Sequence, residues 1–203
     1  MKLFVTGASG YLGFHFVNVA VNKGYDVLCL KRETSKSLFD CNIEQQIKWV
    51  VDNDSLKDEL IAYKPDVLVH FAWGGVRGLS RDSVEIQIHN EEMSKRIFCL
   101  YPYKQIISIG SQSEYGYYNE KVNEEYPLKP LTEYAISKVR CCDFLKQYCE
   151  NNNIEWQWIR VFTIYGEHQT GGLIKLFVEK LLYTFATNTI PLASLHIKAT
   201  LNN

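Results

Sequence analysis

Three glycines spaced as Gly7, Gly10 and Gly13, directly behind the apolar run Leu3-Phe4-Val5, constrain this chain more than any other feature. The run reads as a short strand, and the residues from Tyr11 onward read as a helix. The stretch Thr6-Gly7-Ala8-Ser9-Gly10-Tyr11-Leu12-Gly13 is then a strand-to-helix turn in which each glycine has a mechanical duty. Gly7 lets the chain leave the strand through a tight turn. Gly10 removes a Cβ from the path of an approaching group, and Gly13 lets the first helical turn lie close on the sheet. Such a turn aims unpaired backbone N–H groups and the positive end of a helix dipole at one point, which suits a pyrophosphate. Gly7, Ser9, Gly10, Tyr11, Leu12 and Gly13 are therefore candidate residues for holding a dinucleotide. The alternative is a glycine-rich turn that binds nothing.

The rest of the chain alternates in the same way. Apolar runs at Leu3–Val5, Val27–Leu30, Ile47–Val51, Val67–Phe71, Gln105–Ile109 and Ile154–Phe162 read as strands. Between them lie helical segments: Tyr11–Lys23 with Leu12, Phe16, Val19 and Ala20 on one side, and Ser55–Tyr63 with Leu56, Leu60 and Ile61 on one face. Longer helices are expected over Ser83–Leu100 and Thr132–Asn151, and a further one over Leu173–Tyr183. Short strands joined by helices predict an α/β fold, a Rossmann-type doubly wound parallel sheet with helices on both faces, in the strand order 3-2-1-4-5-6.

At 203 residues, with 46% hydrophobic and 22% charged residues, the chain can bury one good core. A net charge of −1 gives no footprint for nucleic acid or an anionic membrane, and no apolar run approaches membrane-spanning length. The six cysteines and five histidines form no metal-ligand spacing, so no metal is expected. Reduced, mostly buried thiols point to a cytoplasmic protein.

An acidic residue at the end of the second strand would favour NAD. Lys31-Arg32 stands there instead, with Lys36 nearby, and a guanidinium can grip a 2′-phosphate; NADP is expected first and NAD second. Asp52 and Asn53, ending the third strand, suit the adenine edge, or else simply begin the next helix. Tyr134 and Lys138 are four residues apart, so on a helix they share a face. A nearby ammonium would lower the phenol pKa toward working pH and suit Tyr134 to proton exchange during hydride transfer. A second such pair, Tyr117 and Lys121, falls in a loop, where the spacing has no helical meaning. Ser111, beyond the fifth strand, can donate to a substrate oxygen, or be one more polar loop residue. His70 reads as structural.

Taken together, these residues resemble the extended short-chain dehydrogenase/reductase family of NAD(P)-dependent sugar epimerases, dehydratases and reductases, over most of residues 1–175. The TGASGYLG turn is similar to the family's TGxxGxxG, and His70-Phe71-Ala72 to its H-x-A segment, which implies cofactor contacts at Phe71 and Ala72. Ser111, four residues before Tyr115-Gly116, together with Tyr134 and Lys138, resembles the catalytic set. Asn90 falls where the family has an active-site asparagine, and Arg160–Gly166 resembles a segment near nicotinamide and substrate, with Thr163 replacing an asparagine. Gln112-Ser113 replaces the acidic pair of the 4,6-dehydratases, which argues against dehydration. The Trp73-Gly74-Gly75 loop is similar to the CDP-abequose-type branch of 4-ketosugar reductases and epimerases. The resemblance implies a nucleotide-sugar substrate, hydride transfer at a 4-keto position, and a homodimer seam on the two long helices.

The tail, 184–203, resembles no part of the family that we identify and is too short for a domain. The expected organisation is a dinucleotide-binding domain over 1–170 and an incomplete or rearranged remnant of a substrate lobe over 171–203. The expectation is thus a C-terminally truncated chain; a naturally short relative is the alternative. A truncated, non-catalytic dinucleotide binder is the competing functional reading.

Overall fold

Strand β1 (Lys2–Thr6) is buried from Leu3 onward and lies at the middle of a six-stranded sheet. The computed structural model describes residues 1–34, 37–76, 78–168 and 179. In chain order the first elements are β1, α1 (Tyr11–Asn22), β2 (Asp26–Lys31), α2 (Cys41–Glu44), β3 (Ile47–Val51) and α3 (Leu56–Tyr63). They are followed by β4 (Val67–His70), α4 (Val84–Cys99), β5 (Gln105–Ser111), α5 (Glu133–Asn152) and β6 (Glu155–Val161). All strand pairs are parallel and the order is β3-β2-β1-β4-β5-β6, as the alternation of runs predicts.

Alternate residues of each strand feed two cores. Phe4 stands in register with Leu28 and Leu68, and Leu68 with Ile106; this face packs on Leu56, Leu60, Phe98 and Leu145 of the helices. Leu3, Val5, Val27 and Val69 point the other way, onto Val17, Ala20 and Val21 of α1. Because helices cover both faces, the central strands are continuously apolar rather than alternating.

Two helical faces differ from the expected ones. On α1 the buried residues are Gly13, Val17, Ala20 and Val21, while Val19 is 53% exposed. Gly13 sets this rotation: a Cβ there would lie 2.2 Å from the Gly7 carbonyl oxygen, so the helix seats on its glycine and turns Val19 outward. On α3 the buried line is Leu56, Leu60 and Tyr63, and Ile61 faces solvent.

Local capping explains the short elements that the strand pattern does not reveal. Asp40 accepts from the Ile43 amide and starts α2, which buries Ile43. Single 3-10 turns occupy Gly78–Asp82 and Gln112–Tyr115. Ser83 and Thr132 cap α4 and α5. Four of the six cysteines are buried and none is paired in a disulfide. Among the described residues no helix is long and apolar enough to cross a membrane.

The chain divides into two units, Met1–Phe162 and Thr163–Asn203. In the second, the described stretch Thr163–His168 has no regular structure up to a turn at its end, where His168 is left-handed. The helix expected over Leu173–Tyr183, like Lys36, lies outside the described residues.

Candidate active site

At the carboxyl ends of β1 and β4, where the strand order reverses, the glycine turn opens a cleft of about 1080 Å³. Gly7 is left-handed (φ 70°), and a Cβ on it would meet the Ala72 amide nitrogen at 2.6 Å. The Gly10 amide donates to the Gly7 carbonyl, and Gly10 starts α1 without a capping side chain. The first turn of α1 carries no acidic residue. A backbone cradle with neither a side-chain cap nor a negative charge fits a diphosphate.

Ser9, Gly10, Phe71 and Ala72 line this cleft. Tyr11 and Leu12 sit on the first helical turn outside the lining, and the Tyr11 ring packs edge-on against His15. Phe71 leans on Phe16, and the Ala72 amide donates to the Thr6 hydroxyl.

The basic end of the cleft is built by β2 and β3. Lys31 and Arg32 both line it; the Lys31 ammonium lies 5.5 Å from the Trp49 ring centre, while Arg32 is exposed. Asp52 is in the lining too, but both its oxygens accept from the Arg96 guanidinium of α4, at 2.6 and 2.7 Å. Asn53 is turned away from the lining. Its side-chain oxygen accepts from the Ser55 amide and hydroxyl, so it folds the chain into α3.

Asn90 lies buried on α4 at the cleft wall and clamps one residue of the Trp73-Gly74-Gly75 loop. Its Oδ1 accepts from the Gly74 amide at 2.8 Å and its Nδ2 donates to the Gly74 carbonyl at 2.9 Å. Trp73 is fixed alongside through Gln87. His70 is sealed between the Thr6 and Ser94 hydroxyls, and burial holds its pKa down to about 3. It is a neutral structural residue.

Thr132 caps α5, and the helix then places Tyr134 and Lys138 one turn apart, both buried. Ser111, the last residue of β5, lies beside Tyr134 and is likewise buried. Burial raises the Tyr134 pKa above its ordinary value; the nearby Ser111 side chain and the Arg81 charge oppose the rise, and Glu114 adds to it. The expected lowering by Lys138 is not found. Its ammonium donates to the Ile109 carbonyl at 2.5 Å and lies 3.7 Å from the Trp73 ring centre, but 6.0 Å from that of Tyr134. A buried ammonium takes the nearest carbonyl and indole face, and burial brings its own pKa down to about 8. The other Tyr–Lys spacing lies in a loop, with Tyr117 90% exposed.

Sequence reasoning passed over two residues. Glu114 is fully buried: its carboxylate accepts from the Ser111 amide at 2.7 Å, from Arg160 Nε at 2.7 Å and from the Trp158 indole. It forms a capping box with Ser111. The signal was present as Ser111-Gln112-Ser113-Glu114, the S-x-x-E pattern. Arg81 places its guanidinium 4.8 Å from the Tyr134 ring centre and donates to the Ser113 hydroxyl. No sequence pattern marks it.

The model of the NAD dependent epimerase/dehydratase family matches residues 3–194. A putative UDP-glucose 4-epimerase of Methanocaldococcus jannaschii is 27% identical, over 89% of this chain and 63% of its own length. The CDP-abequose synthase of Salmonella muenchen is 24% identical, over 88% of this chain and 58% of its own. Among solved structures, the UDP-glucuronic acid 4-epimerase of Bacillus cereus in complex with UDP-glucuronic acid and NAD superposes with a TM-score of 0.71. It is 25% identical, over 89% of this chain and 64% of its own. The chain thus spans roughly three-fifths of the length of the proteins it matches.

Proposed function

The chain belongs to the NAD dependent epimerase/dehydratase family, and from that premise we propose that it catalyses hydride transfer at the 4-position of a nucleotide-linked sugar with a nicotinamide dinucleotide. The observation that carries this reading is the placement of the buried Tyr134 of α5 beside Ser111 at the carboxyl end of β5, in the sheet whose β1 ends in the glycine turn. When bound, the dinucleotide supplies or accepts the hydride.

The residues of this chain manage the proton. A neutral Tyr134 gives its phenolic proton to the oxygen of a 4-keto group during reduction, and its phenolate takes the 4-hydroxyl proton during oxidation. The Ser111 hydroxyl holds the same substrate oxygen and bridges it to the phenol. Gly7, Ser9 and Gly10 cradle the diphosphate, and Tyr11, Leu12 and Gly13 form the first turn of α1 whose dipole faces it. Phe71, Ala72 and Asn90 form the wall beside it, and Lys138 serves the nicotinamide ribose. Arg32, exposed on the cleft lining with Lys31 behind it, favours a 2′-phosphate and hence NADP over NAD. Asp52 takes part at the adenine end as the Arg96 ion pair rather than as a bare carboxylate. A homodimer through α4 and α5 and a cytoplasmic setting belong to the same proposal.

The test is a fluorescence titration of the chain with NADPH and NADH, followed by incubation with UDP-hexoses, UDP-hexuronic acids and 4-keto nucleotide-sugars. Tighter NADPH binding and conversion of at least one sugar are expected. Tighter NADH binding overturns the cofactor preference, and binding without any conversion leaves a dinucleotide binder and overturns the reaction.

A further inference from the structure

The loop after β4 carries Trp73-Gly74-Gly75, and α4 turns two buried carboxamides toward it, Gln87 and Asn90, spaced to share one helix face. Asn90 takes the middle residue of the loop through both Gly74 backbone groups. Gln87, fully buried, takes the residues on either side. Its Oε1 accepts from the Trp73 indole Nε1 at 2.8 Å and from Asn90 Nδ2 at 3.2 Å. Its Nε2 donates to the Gly75 carbonyl and to the Ser80 carbonyl, each at 3.1 Å. Ser80 belongs to the 3-10 turn Gly78–Asp82, so one side chain ties that turn to the loop.

The two donors and the acceptor oxygen of Gln87 are matched by two carbonyls and two N–H groups. The amide therefore has one orientation, since reversing it would make all four contacts repulsive. The glycines fit the same arrangement. Gly75 is left-handed (φ 62°), and a Cβ on it would lie 2.7 Å from Ile86 Cγ2, 2.9 Å from the Ser80 carbonyl oxygen and 3.2 Å from Gln87 Nε2. A Cβ on Gly74 would stand 3.4 Å from Asn90 Oδ1. The loop backbone thus lies directly on the two carboxamides. On its far side Trp73 lines the cleft and meets the Tyr134 ring edge-on, with ring centres 6.2 Å apart.

We propose that Gln87 is the positioning residue of this wall: it sets where the Trp73 indole stands between the cleft and Tyr134, and it joins the Trp73–Gly75 loop to the Gly78–Asp82 turn. Gln87 acts through Trp73. An apolar side chain of the same length would leave the indole N–H and two carbonyls without that partner in the interior. The effect on dinucleotide binding rests on the proposed reading of the cleft; the tie between Gln87 and Trp73 does not.

The experiment follows the Trp73 indole N–H of the full chain by ¹H–¹⁵N NMR, with Trp73→Phe identifying the resonance. In wild type this proton is expected to be protected from exchange with water. In Gln87→Met its resonance shifts and it exchanges about tenfold faster or more. A titration with NADPH reads the second effect. Gln87→Met weakens binding about tenfold, and adding it to Trp73→Phe costs little more than Trp73→Phe alone, because one residue acts through the other. An unprotected indole in wild type, an unchanged indole in Gln87→Met, or losses that add in the double variant overturn the proposal. If Gln87→Met does not fold, Gln87→Glu decides, since it keeps the length and the acceptor: an indole that stays protected supports the proposal, and one that exchanges freely overturns it. If the wild-type chain binds neither NADPH nor NADH, the reading of the cleft fails, and the indole measurements still decide the role of Gln87.

Discussion

Tyr134 shows how a residue can be recognised from its spacing while its electrostatics cannot. The four-residue interval placed Tyr134 and Lys138 on one helix face, and both are buried there. Which group the ammonium then contacts depends on Ile109 and Trp73, brought in from other elements, so the spacing alone does not say. Glu114 and Arg160 meet only because β5 and β6 are neighbours, and that contact fixes the backbone around Ser111. His70 carries a consequence for stability. Its folded pKa lies near 3, against 6.5 in the open chain, so below about pH 6.5 the unfolded state binds the extra proton. Stability contributed by the neutral imidazole is therefore complete above pH 6.5 and falls as pH drops toward 3, by up to about 1.4 kcal/mol per unit. Denaturant melts across this window should show that slope, and His70→Gln should flatten it. An equal slope in the variant would remove His70 from the account.

The glycine turn and α1 form the element to which we assign dinucleotide binding. Its existence was legible from three glycines behind an apolar run, because few other folds need small residues at those positions. The face of α1 was not legible: apolar periodicity allows Val17 or Val19 inward, and only the close seat of Gly13 on Gly7 decides between them. Gly13→Ala places a methyl where the Gly7 oxygen already stands, so the helix must lift. A loss of about 1–3 kcal/mol in stability is expected, together with weaker dinucleotide binding. Thermal melts and a ligand titration check both effects; an unchanged melting temperature would contradict the packing argument. The 3-10 turn bearing Arg81 was invisible in the sequence for a different reason, since a single turn is held by local hydrogen bonds rather than by a repeating pattern.

For the whole molecule, strand order followed from the parallel alternation of strands and helices, and it brings the site together. With β1 and β4 adjacent at the reversal, the diphosphate cradle, the Trp73 loop held by Asn90, and the β5–α5 pair Ser111–Tyr134 all gather at the carboxyl end of one sheet. Residues far apart in sequence thus come together through topology, at what we propose to be one site. Family membership agrees with that architecture, while the reaction remains our proposal from the site. The most direct measurement is an NMR assay of nucleotide-sugar conversion by the chain with bound dinucleotide, comparing wild type with Tyr134→Phe. The account predicts a changed or reduced 4-position in wild type and a rate lower by about 10²–10⁴-fold in the variant at undiminished dinucleotide binding. Conversion that proceeds equally well without the phenol would contradict it.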